Sequence, residues 1–129
     1  MRSLRRRGAN AIEFALILPP LLALLTGIMD YGWLYMVRTV ATTAAREGAR
    51  EGAFTPQDSD PDNAAAVAAS ASWDTFGLPV AAPTFVAFRS GVPELMVVRI
   101  NVTSASLVGF VVGPDSFEVV AAQPMEEQP

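Results

Sequence analysis

The chain has 129 residues, of which 51% are hydrophobic and 17% charged, and its mean hydropathy is +0.33. That length accommodates one small domain, or a membrane anchor with one small domain attached. Cys, His and Lys are all absent, which excludes a disulfide scaffold, a thiolate zinc site, a cysteine nucleophile, a Ser-His-Asp triad and a P-loop or Schiff-base lysine. Charge is unevenly placed. Arg2, Arg5, Arg6 and Arg7 stand in the first eight residues without an acid, whereas the rest of the chain carries a net charge of −8. A cationic face for nucleic acid is therefore not expected on the folded part.

The basic tip runs into an apolar segment. From Phe14 to Met29 there are sixteen residues without a charge, about 24 Å as a helix against a hydrocarbon layer of roughly 30 Å. Continuing past Asp30 through Tyr31, Trp33, Tyr35 and Val37 lengthens it to about 36 Å, with the aromatic residues where an interfacial belt belongs. The arginines before the run predict a cytoplasmic N-terminus and an outward C-terminal part. A cleaved secretory signal fits less well: Leu25-Thr26-Gly27 offers no small-x-small site, and Glu13 interrupts the start of the apolar run. Asp30, at the outer edge, is expected to be solvated. Glu13 is more demanding, because a carboxylate in lipid costs up to about 3 kcal/mol near the centre of a span and less toward its edge. Arg7 is six residues back and off its helical face. Pro19 and Pro20 lie inside the run and predict a kink or loosened turn near Ile17 to Pro20.

The helix is predicted to continue beyond the membrane, since Arg38 to Ala53 contains no proline and is rich in Ala and Arg. It holds a tandem repeat, Arg46-Glu47-Gly48-Ala49 and Arg50-Glu51-Gly52-Ala53. A period of four drifts only about 40° per step on a helix, so the repeat makes faces. Gly48 and Gly52 cost roughly 1 kcal/mol each relative to Ala, and are therefore expected to serve helix packing, with the chain's own sheet or a partner helix close against them. Phe54-Thr55-Pro56 ends the helix.

In the polar loop that follows, Asp58, Asp60 and Asp62 imitate the start of a calcium loop, but Pro61 and the missing Gly and closing Glu break the pattern. Asp60-Pro61 reads better as an N-cap with proline at the first helical position. A second helix is expected from Pro61 to Phe76, with an Ala-rich face plus Val67, Trp73 and Phe76 turned inward. Beyond Val80 the period changes to two. Strands are predicted over Thr84 to Phe88, Leu95 to Ser104 and Ser116 to Ala122, with Met96, Val98, Ile100 and Val102 on one face and Phe117, Val119 and Ala121 inward. Gly91-Val92-Pro93 and Gly113-Pro114-Asp115 read as turns, and Gln123 to Pro129 as a loose acidic tail. The fold class is α+β: a long N-terminal transmembrane helix extending into a small outer domain with a second helix and a three-stranded antiparallel sheet. The segments are a basic leader over 1–8, the transmembrane and extended helix over 9–53, and the outer domain over 54–129. About 90 residues outside the membrane are a marginal core by themselves, so the long helix must complete it. The acids are scattered over loops and caps, so catalytic, cofactor and metal residues are not expected.

Arg5-Arg6-Arg7-Gly8-Ala9-Asn10-Ala11-Ile12-Glu13-Phe14 resembles a prepilin processing site, a basic leader ending in Gly with Glu as the fifth residue after the cut. More specifically, three blocks resemble the TadE-like family: Gly8 through Pro19, Gly27-Ile28-Met29-Asp30-Tyr31-Gly32, and Ala44-Ala45-Arg46-Glu47-Gly48-Ala49-Arg50. That family comprises pseudopilins, or minor pilins, of tight-adherence (Flp-type) pilus systems. The resemblance extends from about Arg5 to Ala53. It departs from the pattern where Pro20 doubles Pro19 and where Asp30 stands in place of a frequent Glu. It implies a pilin-like fold, leader cleavage between Gly8 and Ala9 by an aspartyl membrane protease (the prepilin peptidase), and no catalysis by the chain itself. It implies insertion in the inner (cytoplasmic) membrane as a single-pass protein, with pilus association after processing. Its partners would be other pilins or pseudopilins and the assembly platform, and its role would be to support surface adhesion and biofilm formation. Cleavage would create an α-ammonium at Ala9, poorly placed against the helix dipole. Glu13 of a neighbouring subunit would relieve it and set subunit register. The competing reading is an unprocessed, signal-anchored single-pass protein with a small extracytoplasmic binding domain.

Overall fold

The computed structural model describes residues 2–103, 106–109 and 116–125. The predicted turn at Gly113-Pro114-Asp115 lies outside the described residues, as does the end of the acidic tail, 126–129. The fold is α+β, built from α1 (Arg2–Phe54), α2 (Pro61–Asp74), β1 (Thr84–Ser90), β2 (Leu95–Thr103) and β3 (Ser116–Pro124).

The helix α1 runs without a break through Pro19 and Pro20. Composition supports this length: just over half of residues 21–54 are Leu, Ala, Met, Arg or Glu, which lose little side-chain freedom in a helix. Thr39, Thr42 and Thr43 turn their hydroxyls back to carbonyls four residues earlier, at Tyr35, Arg38 and Thr39. The chain then passes a short 3-10 turn, Gln57–Ser59, to Asp60, which occupies a left-handed conformation (φ 55°) and caps α2. The Asp60 carboxylate accepts from the Asn63 N–H at 3.3 Å, and Pro61 opens the helix, as the Asp-Pro pair predicts.

The strands form one antiparallel sheet in the order β1-β2-β3. Ile100 lies opposite Phe85 on one side and Val119 on the other, while Val98 lies opposite Ala87 and Ala121. The alternation of β2 works as its period implies: Met96, Val98, Ile100 and Val102 are fully buried, and the residues between them are not. Burying each such side chain is worth about 1.5–3 kcal/mol. β1 extends through Ser90 and β3 through Pro124, so Gln123 and Pro124 belong to the sheet rather than to a tail. A proline is tolerated there because β3 is an edge strand, and the Met125 N–H is tied to the Glu94 carbonyl at 3.0 Å.

The sheet and α2 pack together on the outer part of α1. Val37, Val40, Ala41, Ala44, Ala45, Ala49 and Ala53 supply one wall of the core, facing Ala65, Ala69 and Trp73 of α2 and the inner face of β2. The buried stripe of α2 differs in part from expectation. It consists of Pro61, Ala65, Ala69 and Trp73, whereas Val67 and Phe76 are exposed and the helix ends at Asp74. Steps of four keep those small residues on one face, and Val67 lies about 200° around the helix from Ala65. Close approach to the small-residue face of α1 outweighs burial of one valine.

Candidate functional site

The lower part of α1 presents a different surface. Ile12, Phe14, Leu16, Ile17, Leu24, Ile28 and Met29 are all more than half exposed. So contiguous an apolar surface calls for a non-aqueous partner, and α1 is long and apolar enough to cross a membrane. Gly8 and Ala9 lie within α1. Glu13 follows four residues after Ala9, about 6 Å along the axis, and is exposed. Among the described residues no ion pair involves Glu13.

Asp30 ends the uncharged run, and here the structure corrects the reading of a solvated edge residue. It is 3% exposed and is the buried charged residue among those described. Its Oδ1 accepts a hydrogen bond of 2.7 Å from the backbone N–H of Val108, 78 residues further on in the segment between β2 and β3. The sequence did carry a signal: one acid at the end of a sixteen-residue uncharged run is costly to bury without a partner. What it lacked was any means of identifying that partner, because the bond joins a carboxylate to a backbone amide, and every non-proline residue has one.

Higher on α1, Gly48 and Gly52 face the crossing of α2 and β2. A Cβ on Gly48 would lie 2.6 Å from the Ala65 carbonyl oxygen and 2.7 Å from Ala69 Cβ. On Gly52 it would lie 2.7 Å from Ala65 Cβ, 2.9 Å from Met96 Cγ and 3.0 Å from the Pro61 carbonyl oxygen. The charged half of the tandem repeat points away. The Arg50 guanidinium meets Glu47 at 2.8 Å, both exposed. That hydrogen bond, with the attraction between the charges, holds the Glu47 carboxyl below its usual value and raises Arg50. Three further contacts tie the elements: Arg89 to Asp62 at 3.4 Å, Arg99 to Glu118 at 3.3 Å, and Arg38 over the Phe117 ring at 5.8 Å. Among the described residues there is no cluster of three or more acids suited to a metal ion.

Thus α1 has an exposed apolar lower half, a buried acid at its waist and a glycine-bearing face packed into the domain. Residues 8–50 match the TadE-like protein family. The match begins at Gly8, takes in Glu13 and Asp30, and ends on Arg50, so the TadE-like segment coincides with the membrane-anchor-like helix and includes Gly48 of its packing face. α2 and the sheet lie beyond that segment. No curated protein and no solved structure matches the chain.

Proposed function

We propose that the chain is a minor pilin or pseudopilin subunit of a tight-adherence (Flp-type) pilus assembly system, supporting pilus assembly and surface adhesion. The observation that carries this reading is the TadE-like match lying on an apolar helix whose lower half is unburied by the chain's own fold. A helix displayed in this way suits both a bilayer and a bundle of like helices.

In this reading a prepilin peptidase cuts between Gly8 and Ala9 in the inner membrane, with the arginine leader held on the cytoplasmic side and the outer domain on the other. The new Ala9 ammonium lies at the positive end of the α1 dipole. Glu13 of a neighbouring subunit neutralises it and sets the register. Such a paired charge contributes modestly to net stability and more to specificity, because one unpaired partner left in lipid is costly. The chain acts as substrate and building block rather than as an enzyme.

Mass spectrometry of the membrane-fraction protein tests this. The expected mature chain begins at Ala9, while cells lacking the peptidase, and the Gly8→Leu variant, retain Met1. A chain beginning at Met1 in cells with active peptidase would instead establish an unprocessed single-pass anchor with an extracytoplasmic binding domain. Glu13→Ala is expected to be cleaved yet to assemble poorly.

A further inference from the structure

The geometry points to Leu107 and Val108, in the segment between β2 and β3, as a second contact with the lipid surface, held at that height by Asp30. The inference rests on α1 spanning the bilayer. β2 descends along α1: Met96 lies against Gly52, and Val108 is bonded to Asp30. Gly52 and Asp30 are about 33 Å apart on the helix axis. β2 therefore runs back along α1, and Val108 beyond it lies at the first charged residue above the uncharged run from Phe14 to Met29. On the spanning reading the hydrocarbon ends near this level, where the uncharged run stops and the aromatic residues Tyr31, Trp33 and Tyr35 begin.

At that level the described segment turns apolar side chains outward. Leu107 and Val108 are 53% and 50% exposed, and Met29 and Tyr31, which flank Asp30 in the sequence of α1, are 55% and 65% exposed. Two consecutive backbone donors are already used, the Val108 N–H by Asp30 at 2.7 Å and the Gly109 N–H by the Ser106 hydroxyl oxygen at 2.7 Å. An unpaired N–H is what ordinarily keeps irregular backbone out of lipid. With both occupied, these two donors need no water when the apolar side chains enter the interface. The outer domain then rests on the membrane at two points, α1 and Leu107-Val108, which fixes its tilt as well as its tether. The opposite end of the sheet, at Val92, stays in water.

The natural chain has no cysteine, so single sites can be labelled. Leu107→Cys, Val92→Cys and Leu24→Cys of the full chain, each carrying an environment-sensitive NBD fluorophore, are placed in phosphatidylcholine–phosphatidylglycerol vesicles with nitroxide lipids. The label at 107 is expected to be blue-shifted and quenched by a nitroxide near the headgroups. The label at 24 responds to a deep nitroxide, and the label at 92 to neither. If 107 behaves like 92, or is blue-shifted but beyond reach of any lipid quencher, this segment does not touch lipid and the inference fails, while the response at 24 keeps the spanning helix. Loss of quenching at 24 removes the span itself and this inference with it. With the label at 107, Asp30→Ala is expected to reduce quenching toward the level at 92, whereas Asp30→Asn, which keeps an acceptor oxygen, retains it. Undiminished quenching in Asp30→Ala overturns the pinning role.

Discussion

Gly48 on α1 and Ala69 on α2 are so close that a methyl group at Gly48 would lie 2.7 Å from the Ala69 Cβ, and 2.6 Å from the carbonyl oxygen of Ala65. The second of these neighbours is backbone, which cannot rotate aside. The two helices are thus in contact through their main chains, and the Ala and Gly residues of both are what allow it.

Replacing Gly48 by Ala sets two terms against each other. Helix propensity favours Ala by about 1 kcal/mol, while overpacking costs about 1–3 kcal/mol. With backbone as the obstacle, the second term wins. Gly48→Ala is expected to lower the unfolding free energy of the detergent-solubilised chain by up to about 2 kcal/mol. Gly52→Ala is expected to cost less, because the backbone nearest its new methyl, the Pro61 carbonyl oxygen, is 3.0 Å away rather than the 2.6 Å of the Ala65 carbonyl oxygen at Gly48. Gly32→Ala, which meets nothing within 4 Å, is expected to be neutral or stabilising. Denaturation curves showing Gly48→Ala no worse than Gly32→Ala would remove the close-contact argument.

Trp73 anchors the far end of α2 and is 4% exposed, whereas Val67 on the same helix is 57% exposed. Truncating a buried Trp costs about 3–5 kcal/mol, and a surface change usually stays within about 0.5 kcal/mol. Trp73→Ala is therefore expected to melt the outer domain well before the wild type in a circular-dichroism scan, with Val67→Ala nearly superimposable on it. Equal losses would mean that α2 packs through its other face.

The Glu47–Arg50 pair gives a pH dependence of definite sign. Arg50 donates to the Glu47 carboxylate and attracts it, so the folded-state pKa lies below the unfolded one. The contribution to stability is present above the unfolded value and is lost as pH falls through the folded one. Both residues are exposed, which keeps the effect small and sensitive to salt. An NMR titration of the Glu47 carboxyl carbon is expected to show a midpoint that rises in Arg50→Gln and in high salt. A midpoint indifferent to both changes would show that the pair does not persist in solution.

How much of this molecule the sequence determines depends on the range of the interaction. The apolar run of α1, the Asp60-Pro61 cap, the period of two in β2 and the Gly-x-x-x-x-Glu spacing at Gly8 to Glu13 are written in neighbouring residues, because caps, periodicities and uncharged lengths arise within a few turns or strand positions. The three-stranded α+β architecture and the need of the outer domain for the long helix follow from them. The tertiary structure decided what depends on distant partners. Val67 lost its inward place to a stripe of Pro61, Ala65, Ala69 and Trp73 because the opposing face of α1 is built of Ala and Gly, and close approach favours small side chains over large ones. Asp30 turned from a solvated edge residue into a buried acceptor because the chain returns, 78 residues later, with an amide to donate. Backbone donors carry no side-chain signature, so only the path of the folded chain selects which one meets the carboxylate.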